Sequence, residues 1–307
     1  MNRYAIITPA HNEGHHLERT IHSVLAQGHK PVRWVIVSDG STDNTAEIAK
    51  DNAARSSFIQ VVVIKRDGNH TFGNKARAFN AAIPLLRGLD FEYIGNLDAD
   101  VSFETNYFEN LIHLFEQDPH LGIAGGIIYT TVGGRFVTHD ETLDSVGGAV
   151  QLFRRRCFED IGGEFLPLPY GGIDAAAEII AKMKGWRVRK SLENRVFEHR
   201  QTGTAASTPL AAGFRLGRRF HSLGYGILFH TARSLYRLGD PPFILGSCAS
   251  CLGFLEAVVK QRPIMLPNGV VKHLRNEQRK RLCRMLAFWS SRRSADAGDL
   301  AELDEGS

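Results

Sequence analysis

The chain has 307 residues, enough for about two domains of ordinary size. Its 43% hydrophobic and 23% charged residues are typical of globular proteins and exclude a wholly disordered or collagen-like chain. The longest apolar stretch, residues 243–255, is shorter than the ~20 residues of a membrane span, and Pro9 interrupts the N-terminus too early for a signal peptide. The four cysteines show no disulfide framework, which favours a reducing cytosol.

The net charge of +4 is unevenly distributed along the chain. Residues 1–199 contain 21 Lys or Arg and 25 Asp or Glu, whereas residues 200–294 contain 16 Lys or Arg and three acids. The last 13 residues contain five acids and no base, so we expect a disordered tail. A basic segment with apolar streaks suits an anionic membrane surface or an anionic substrate. No recognised nucleic-acid-binding module accompanies it, so no nucleic acid partner is expected.

Short apolar strands alternate with amphipathic helices over the first hundred residues. This alternation predicts βαβ units and a mostly parallel sheet flanked by helices, in an α/β fold. Ligands of such sheets bind beyond the carboxyl ends of the strands. The predicted strands are Tyr4–Thr8, Arg33–Ser38, Gln60–Lys65 and Tyr93–Leu97, and the predicted helices are Glu13–Gln27, one from Ser41 to about Arg55, and Asn74–Leu86.

The pattern becomes less regular after Ser102. A helix is predicted over Glu104–Gln117, a Gly-rich strand-and-loop region follows to Phe153, and a helix over Ala175–Lys184 ends at Gly185. Strand pieces are predicted at Trp186–Arg189 and Arg195–Glu198. The remainder is mostly helical, with helices at His221–Leu238, Phe243–Val259 and Val270–Phe288; the pair Cys248 and Cys251, without further zinc ligands, is expected to be buried.

Polar clusters follow three of the predicted strands. Asp98-Ala99-Asp100 leaves a hydrophobic strand, and paired carboxylates suit Mg²⁺ or Mn²⁺ shared with a diphosphate, although an Asp-rich turn has the same composition. Asp39 can accept hydrogen bonds from a nucleobase or ribose, and the residues after it also read as a helix cap. Glu13 fits either an ordinary first-turn acid or a ribose contact.

Four segments together resemble a known family. Residues 8–13 (Thr-Pro-Ala-His-Asn-Glu), 37–45 (Val-Ser-Asp-Gly-Ser-Thr-Asp-Asn-Thr), 73–80 (Gly-Asn-Lys-Ala-Arg-Ala-Phe-Asn) and 96–100 (Asn-Leu-Asp-Ala-Asp) are similar to the family 2 nucleotide-sugar glycosyltransferases of GT-A fold. The resemblance covers about residues 1–200. It implies a GT-A catalytic domain at 1–205, with a nucleotide-sugar half at 1–102 and an acceptor half at 103–205. A basic helical extension at 206–294 and the acidic tail at 295–307 follow.

The resemblance also implies roles for individual residues. The nucleotide-sugar site would be formed by Pro9, Glu13, Asp39, Lys75, Arg77 and Asp98, with Lys75 and Arg77 on a loop near the donor. Asp100 would bind the divalent metal, Mg²⁺ or Mn²⁺, that bridges the diphosphate. His199 stands where relatives can supply a late metal or diphosphate ligand, although a lone histidine is also a common structural residue.

The family's general base is matched by Asp174. It precedes a helix that ends at Gly185, but Ile173 replaces the acid that usually precedes the base. Asp174 also fits a helix N-cap, and Glu178, one turn along, is an alternative base. The preceding Gly147 and Gly148 would allow close approach of a sugar.

The resemblance implies a metal-dependent inverting transferase that moves one sugar from a nucleoside diphosphate donor, with UDP the family's commonest nucleotide. The Gln-x-x-Arg-Trp signature of processive synthases is absent from the sequence, which favours single transfer. We expect a glycan or lipid-linked acceptor of the cell envelope and a cytoplasmic location, with the basic segment either contacting the inner membrane face or forming a solvated helical cap. A polyprenyl-phosphate acceptor, or a non-catalytic membrane-associated adaptor on the same fold, are the alternatives.

Overall fold

The computed structural model describes residues 2–65, 71–132, 134–138, 142–200, 208–239 and 244–285. Contacts divide the chain into two units, Met1–Thr208 and Pro209–Ser307. The predicted Val270–Phe288 helix runs past the described residues, which are helical over 268–285, and the acidic tail lies outside them. Within the described ranges, no helix has the length and hydropathy required to cross a membrane.

The first unit is an α/β structure. Its strands are β1 Tyr4–Ala10, β2 Arg33–Asp39, β3 Ile59–Ile64, β4 Tyr93–Leu97, β5 Val101–Phe103, β6 Leu121–Val132, β7 Arg135–Val137, β8 Val150–Arg154 and β9 Arg187–Glu198. Its helices are α1 Leu17–Leu25, α2 Thr45–Ala53, α3 Gly73–Ala82, α4 Tyr107–Gln117, α5 Arg155–Asp160 and α6 Ile173–Met183, with a 3₁₀ turn at Ile83–Leu86.

One sheet runs through the described part of this unit in the order β3-β2-β1-β4-β8-β6-β9-β5, and β7 pairs with β6. The β3-β2-β1-β4 half is parallel, as the βαβ pattern predicted. Strand β8 is antiparallel to both β4 and β6, while β6 and β9 run parallel. The carboxyl ends of β1, β2 and β4 therefore lie at one edge of the sheet, where the polar clusters follow them.

Large buried aromatic side chains hold the helices against the sheet. Tyr4 stacks on Phe108 of α4 at 4.7 Å between ring centroids, and the indole N–H of the fully buried Trp34 donates to Thr8 Oγ1 at 2.9 Å. A second cluster joins Phe79 of α3 to Phe165 at 4.6 Å. These aromatic contacts fix α3 and α4 relative to the strand ends.

Several predicted elements differ from the structure of this unit: α2 begins at Thr45 rather than Ser41, and α3 ends at Ala82 with a 3₁₀ turn after it. Helix α1 begins at Leu17 rather than Glu13, because residues 13–16 form a turn whose Glu13 N–H donates to Thr45 Oγ1 at 2.8 Å. The predicted strand pieces at 186–189 and 195–198 are one strand, β9. The stretch between them bulges out of the pairing with β6, and the buried Asn194 side chain ties it to α4 by donating to the Tyr107 carbonyl oxygen at 2.8 Å.

The second unit is helical in its described residues. It consists of α7 Pro209–Ser222, α8 Ile227–Tyr236, α9 Ile244–Val259 and α10 at residues 268–285. The single helix predicted over His221–Leu238 is wrong, because Gly224 adopts a φ of +80° and separates α7 from α8. The expected burial of the cysteine pair is also wrong for Cys248, which is exposed.

Candidate active site

The loops after β1 and β2 are tied together by side-chain hydrogen bonds. Asn12 has a φ of +54°, a conformation that asparagine tolerates, and its Oδ1 accepts from the Thr42 N–H at 2.8 Å. The Gly14 N–H donates to Asp43 Oδ2 at 2.9 Å, so the loop after β1 is bonded to the residues just before α2. This network holds Glu13 at the sheet edge beside the end of β2.

Asp98 pairs with Lys75 at the end of β4. The Asp98 N–H donates to the Ala149 carbonyl oxygen of the neighbouring strand at 2.8 Å, and its carboxylate forms an ion pair with Lys75 Nζ. Burial raises the pKa of Asp98 to about 6 against the opposing charge of Lys75. Burial alone would lower the pKa of Lys75, but the carboxylates of Asp98, Asp174 and Asp100 raise it overall. Lys75 therefore pairs with Asp98 and also feels the charges of Asp100, in the same turn, and of Asp174 on α6.

Asp174 lies against the backbone at Gly148. A Cβ atom on Gly148 would stand 3.0 Å from Asp174 Oδ2 and 3.2 Å from its Cβ, so the space beside this glycine is filled by the Asp174 side chain. The Gly148 carbonyl oxygen accepts from Asn96 Nδ2 at 2.9 Å and from Lys75 Nζ at 3.4 Å. This one peptide group thus connects Lys75 of α3 and Asn96 of β4 with the carboxylate at the start of α6.

Arg200 follows β9 and faces two of the acids. Its guanidinium pairs with the Glu13 carboxylate, donates to the Asn12 carbonyl oxygen at 3.1 Å and lies 3.9 Å from Asp100 Oδ2. Burial raises the pKa of Glu13 to about 8, the charge of Asp100 adds to the shift, and Arg200 opposes it. The positive charge of Arg200 therefore offsets a partly desolvated pair of acids.

His199 contacts Asp100 through its backbone rather than through its imidazole ring. Its backbone N–H donates to the Asp100 carbonyl oxygen at 2.9 Å, while its Nε2 is 2.8 Å from Ser102 Oγ. The ring also makes an edge contact with Phe136 at 5.7 Å. Burial, followed by the charges of Arg19 and His16, lowers the pKa of His199, which favours the neutral imidazole.

The remaining predicted residues lie at separate places. Asp39 is almost buried at the carboxyl end of β2, where its backbone oxygen is 2.7 Å from His11 Nδ1. Pro9 lies in β1 opposite Val37 of β2. Lys75 and Arg77 lie on α3, so the expected loop position is wrong for both. Because Lys75 and Arg77 are two positions apart on this helix, their side chains leave its axis in directions ~200° apart. Arg77 is exposed and donates to Asn74 Oδ1 at 2.8 Å.

Glu178 supports the backbone in front of α6. Its two carboxylate oxygens accept from the Val146 N–H at 2.6 Å and from Ser145 Oγ at 2.9 Å. Burial raises the pKa of Glu178 to about 7. With both oxygens occupied, Glu178 holds the segment that leads to Gly148, and Asp174 is the freer carboxylate of the pair.

Two contributors were missed at the level of sequence. The sequence patterns gave no role to Arg200, although a charged residue directly after a predicted strand was a usable signal. Asn96 lies inside an apolar strand, and its buried amide donates to Gly148; a buried asparagine before an Asp-x-Asp was the corresponding clue.

Comparison with protein families gives a match over this same part of the chain. The family model described as glycosyl transferase family 2 matches residues 5–171, more than half of the sequence. The chain belongs to glycosyl transferase family 2. The matched region contains the loops after β1 and β2, the Lys75–Asp98 pair and Gly148, and it ends just before Asp174.

Curated relatives of this family 2 chain are polysaccharide synthases. It is 27% identical over 203 residues to a poly-beta-1,6-N-acetyl-D-glucosamine synthase of Staphylococcus aureus, a match covering 58% of this chain and 45% of the relative. A synthase of the same name from Staphylococcus epidermidis is 26% identical over 177 residues, covering 52% of this chain and 41% of the relative. The chain therefore matches less than half the length of these relatives.

Solved structures confirm the predicted fold. A Pyrobaculum calidifontis mannosyltransferase, solved with GDP-Man and Mn²⁺, has a TM-score of 0.55 at 18% identity, covering 84% of this chain and 75% of that one. Staphylococcus aureus TarS residues 1–349, solved with UDP-GlcNAc, has a TM-score of 0.53 at 15% identity, covering 82% and 71%. The described sheet with flanking helices is accordingly a GT-A fold with a helical C-terminal part.

The acids of the site fit a divalent cation that is shared with a ligand. Among the residues that the structure describes, no group of three or more His, Cys, Asp or Glu side chains forms a complete cation cage. Mg²⁺ and Mn²⁺ bound to nucleotides need only one or two carboxylates, because phosphate oxygens and waters complete the shell. Asp100 is almost buried at the sheet edge, and its ion pair with Arg200, at 3.9 Å, is a loose one, so it has the chemistry of such a ligand.

Proposed function

We propose that this chain transfers one sugar from a nucleoside diphosphate sugar to an acceptor hydroxyl, with inversion at the anomeric carbon and with a divalent metal. The observation that carries the proposal is that Lys75 pairs with Asp98 and donates to the Gly148 carbonyl oxygen, against which the Asp174 side chain packs. A cluster of acids and cations at the carboxyl edge of a parallel sheet suits a charged ligand that brings its own metal.

Each cationic side chain has a role in this reaction. Lys75 keeps its charge, because the surrounding carboxylates raise its pKa, and it offers an ammonium group to the leaving diphosphate. Arg200, which is exposed on about a third of its side-chain surface, can turn from Glu13 towards the same phosphates. Asp100 would hold the metal, whose charge stabilises the negative charge that develops on the diphosphate.

Asp174 acts as the general base. It takes the proton of the acceptor hydroxyl, and the oxygen attacks the anomeric carbon on the face opposite the diphosphate. Its carboxylate is held at Gly148, next to the Lys75 and Asp98 side of the site. Asp39 and Pro9, at the ends of β2 and β1, would contact the nucleoside, and Asp98 the ribose or the water shell of the metal.

The donor and acceptor follow from the relatives' chemistry. A UDP-sugar is our first choice, since TarS was solved with UDP-GlcNAc and the synthase relatives are named for an N-acetylglucosamine polymer. The mannosyltransferase solved with GDP-Man makes GDP-sugars the second choice. We propose a glycan or lipid-linked acceptor of the cell envelope, reached from the cytoplasmic face of the membrane.

The proposal is tested by thermal shift with UDP-, GDP- and dTDP-sugars, each with and without Mn²⁺. One nucleotide should raise the melting temperature in a metal-dependent way, because a ligand that binds only the folded state stabilises it. Asp100→Asn should lose the Mn²⁺-dependent part of the shift. The matched control is Asp51→Asn, an exposed carboxylate on α2, which should behave as the parent does.

Product formation separates the alternatives. Asp174→Asn should keep the donor-induced shift and lose sugar transfer to a hydroxyl acceptor. Transfer to a polyprenyl phosphate that survives Asp174→Asn would replace the hydroxyl acceptor, because a phosphate nucleophile is already ionised. No shift with any nucleotide diphosphate and metal would refute the transferase proposal and favour a non-catalytic adaptor.

A further inference from the structure

Helices α8 and α9 carry their large apolar side chains on the outside. Leu228 is 76% exposed, Leu252 is 60% exposed and Val259 is 79% exposed. In α8 the buried residues include His230 and Ser234, which are polar. The usual arrangement of a globular helix, apolar inward and polar outward, is therefore reversed on α8, whereas α9 buries Phe254 and small residues and exposes most of its other large apolar side chains.

Small residues on the inner face of α9 explain why most of its large side chains face outward. A Cβ on Gly217 of α7 would lie 1.9 Å from the Ser250 carbonyl oxygen, and a Cβ on Gly253 would lie 1.9 Å from the Phe214 carbonyl oxygen. Helices α7 and α9 thus approach backbone to backbone. Such packing through small residues is common between helices in membranes, where large apolar side chains face lipid instead of a protein core.

Polar side chains beneath this surface make contacts within the unit. The His230 ring stacks on Phe254 at 4.6 Å, and its Nε2 is 3.4 Å from the Ser250 carbonyl oxygen. Glu256 is enclosed by Arg218 and Arg262. The acid of α9 therefore adds little negative charge to the outer surface.

Positive charge accompanies the apolar surface. The described residues of this unit contain 13 Lys or Arg and only two acids, Glu256 and Glu277. Lys260 follows Val259 directly at the end of α9, and α10 exposes further bases such as Lys272 and Arg279. Exposed leucines with a basic surround complement a surface that is apolar inside and anionic at its boundary.

We infer that the outer faces of α8 and α9 bind the surface of an anionic lipid leaflet. Because α9 has 16 residues, it is ~24 Å long, and it lies in the headgroup and upper acyl region rather than crossing the bilayer. Leu228, Leu252 and Val259 enter the acyl boundary, and Lys260 and the bases of α10 meet anionic headgroups. This inference is independent of sugar transfer, since it concerns binding to lipid alone.

Flotation with vesicles tests the inference without nucleotide or metal. The full chain should float with vesicles of equal parts phosphatidylglycerol and phosphatidylcholine, and much less with phosphatidylcholine alone. Leu228→Gln and Leu252→Gln should each weaken the partition about tenfold, because each removes the burial of one leucine. Lys272→Gln and Arg279→Gln should each weaken it about fivefold, more so at low salt.

Matched controls come from the first unit. Leu192 is 61% exposed there, so Leu192→Gln should float like the parent. Leu252→Trp should add fluorescence that is quenched by brominated acyl chains, whereas Leu192→Trp should not. This probe keeps position 252 apolar, so it decides the question even where a glutamine variant fails to fold.

Three results would overturn the inference. The parent could fail to float with anionic vesicles, or the leucine and control variants could float equally well. Sedimentation could instead show a dimer that Leu252→Gln converts to a monomer, in which case the face joins two copies of the chain. A negative vesicle result alongside a nucleotide-dependent thermal shift would reject only the lipid surface and leave the transferase proposal standing.

Discussion

Replacing Gly148 by alanine tests whether Asp174 is the base by moving it slightly rather than removing it. The added methyl would stand 3.0 Å from Asp174 Oδ2 and 3.2 Å from its Cγ, closer than ordinary contact. The backbone φ of Gly148 is not positive, so the backbone accommodates alanine without strain. The carboxylate must therefore move by a few tenths of an ångström.

The size of the effect follows from that displacement. A misplacement of about 1 Å in a reacting group costs roughly a hundredfold in rate, so a few tenths of an ångström should cost about three- to tenfold in kcat. The KM for the donor should change less than twofold, since Asp39 and the ends of β1 and β2 stay in place. Steady-state release of nucleoside diphosphate, with and without acceptor, measures both constants.

Gly269→Ala serves as the control, because a Cβ there meets nothing within 4 Å. It should leave kcat and KM at the parental values. If Gly148→Ala retains the full kcat while Asp174→Asn abolishes transfer, then the position of the carboxylate is not what limits the reaction. If Asp174→Asn itself retains activity towards a hydroxyl acceptor, Asp174 is not the base.

Three further substitutions probe the charges and the packing. The pKa of Glu13 is raised to about 8, so Glu13 is ionised at pH 9 and mostly protonated at pH 6. Arg200→Gln should therefore destabilise the protein by about 1 kcal/mol more at pH 9 than at pH 6. Equal losses of unfolding free energy in urea at both pH values would contradict this. Burial raises the pKa of Glu178 from 4.5 to about 7, so its contribution to stability is fully present below pH 4.5 and falls by roughly 3 kcal/mol as pH rises through 7. Glu178→Gln should remove this pH-dependent loss, so the free energy of unfolding of the variant should rise relative to that of the parent between pH 4.5 and 7. Parallel curves of unfolding free energy against pH for the two proteins would refute this. Gly217→Ala should cost the second unit about 1–3 kcal/mol, because its Cβ meets the Ser250 backbone, and a melting temperature as high as that of Gly269→Ala would disprove the close packing.

The parallel half of the sheet was predictable because its strands are buried on both faces. Continuous apolar runs such as Trp34–Val37, each followed by an amphipathic segment, are compatible with few structures other than βαβ units. The order of the polar clusters along the chain then located the edge of the sheet at which Asp98 and Asp100 lie.

The arrangement of residues 103–205 depended on long-range pairing that a sequence pattern does not contain. Arg200 meets Glu13 only because β9 pairs with β5 and ends beside the loop after β1. The glycine at 148 was expected to leave room for a sugar, and the structure fills that room with the Asp174 side chain. Which neighbour occupies the space beside a glycine is a property of packing, not of local sequence.

Hydrophobic periodicity likewise could not predict which face of each helix in the second unit is buried. Helix α9 is apolar on nearly all sides, and because small residues let it approach α7 closely, most of its large side chains other than Phe254 face outward. Hydrophobic spacing alone identifies a helix with an apolar side, and the partner of that side is decided by shape.

Asn80 of α3 binds both backbone groups of a distant residue, donating to the Phe165 carbonyl oxygen at 2.8 Å and accepting from its N–H at 2.9 Å. The segment that enters α6 is thus clamped to the same helix that carries Lys75. Anyone grafting this segment from a sister enzyme to alter what receives the sugar would have to transplant the amide of Asn80 with it. Without it, the exchanged loop would lose both hydrogen bonds to α3, and the position of Asp174 would no longer be fixed.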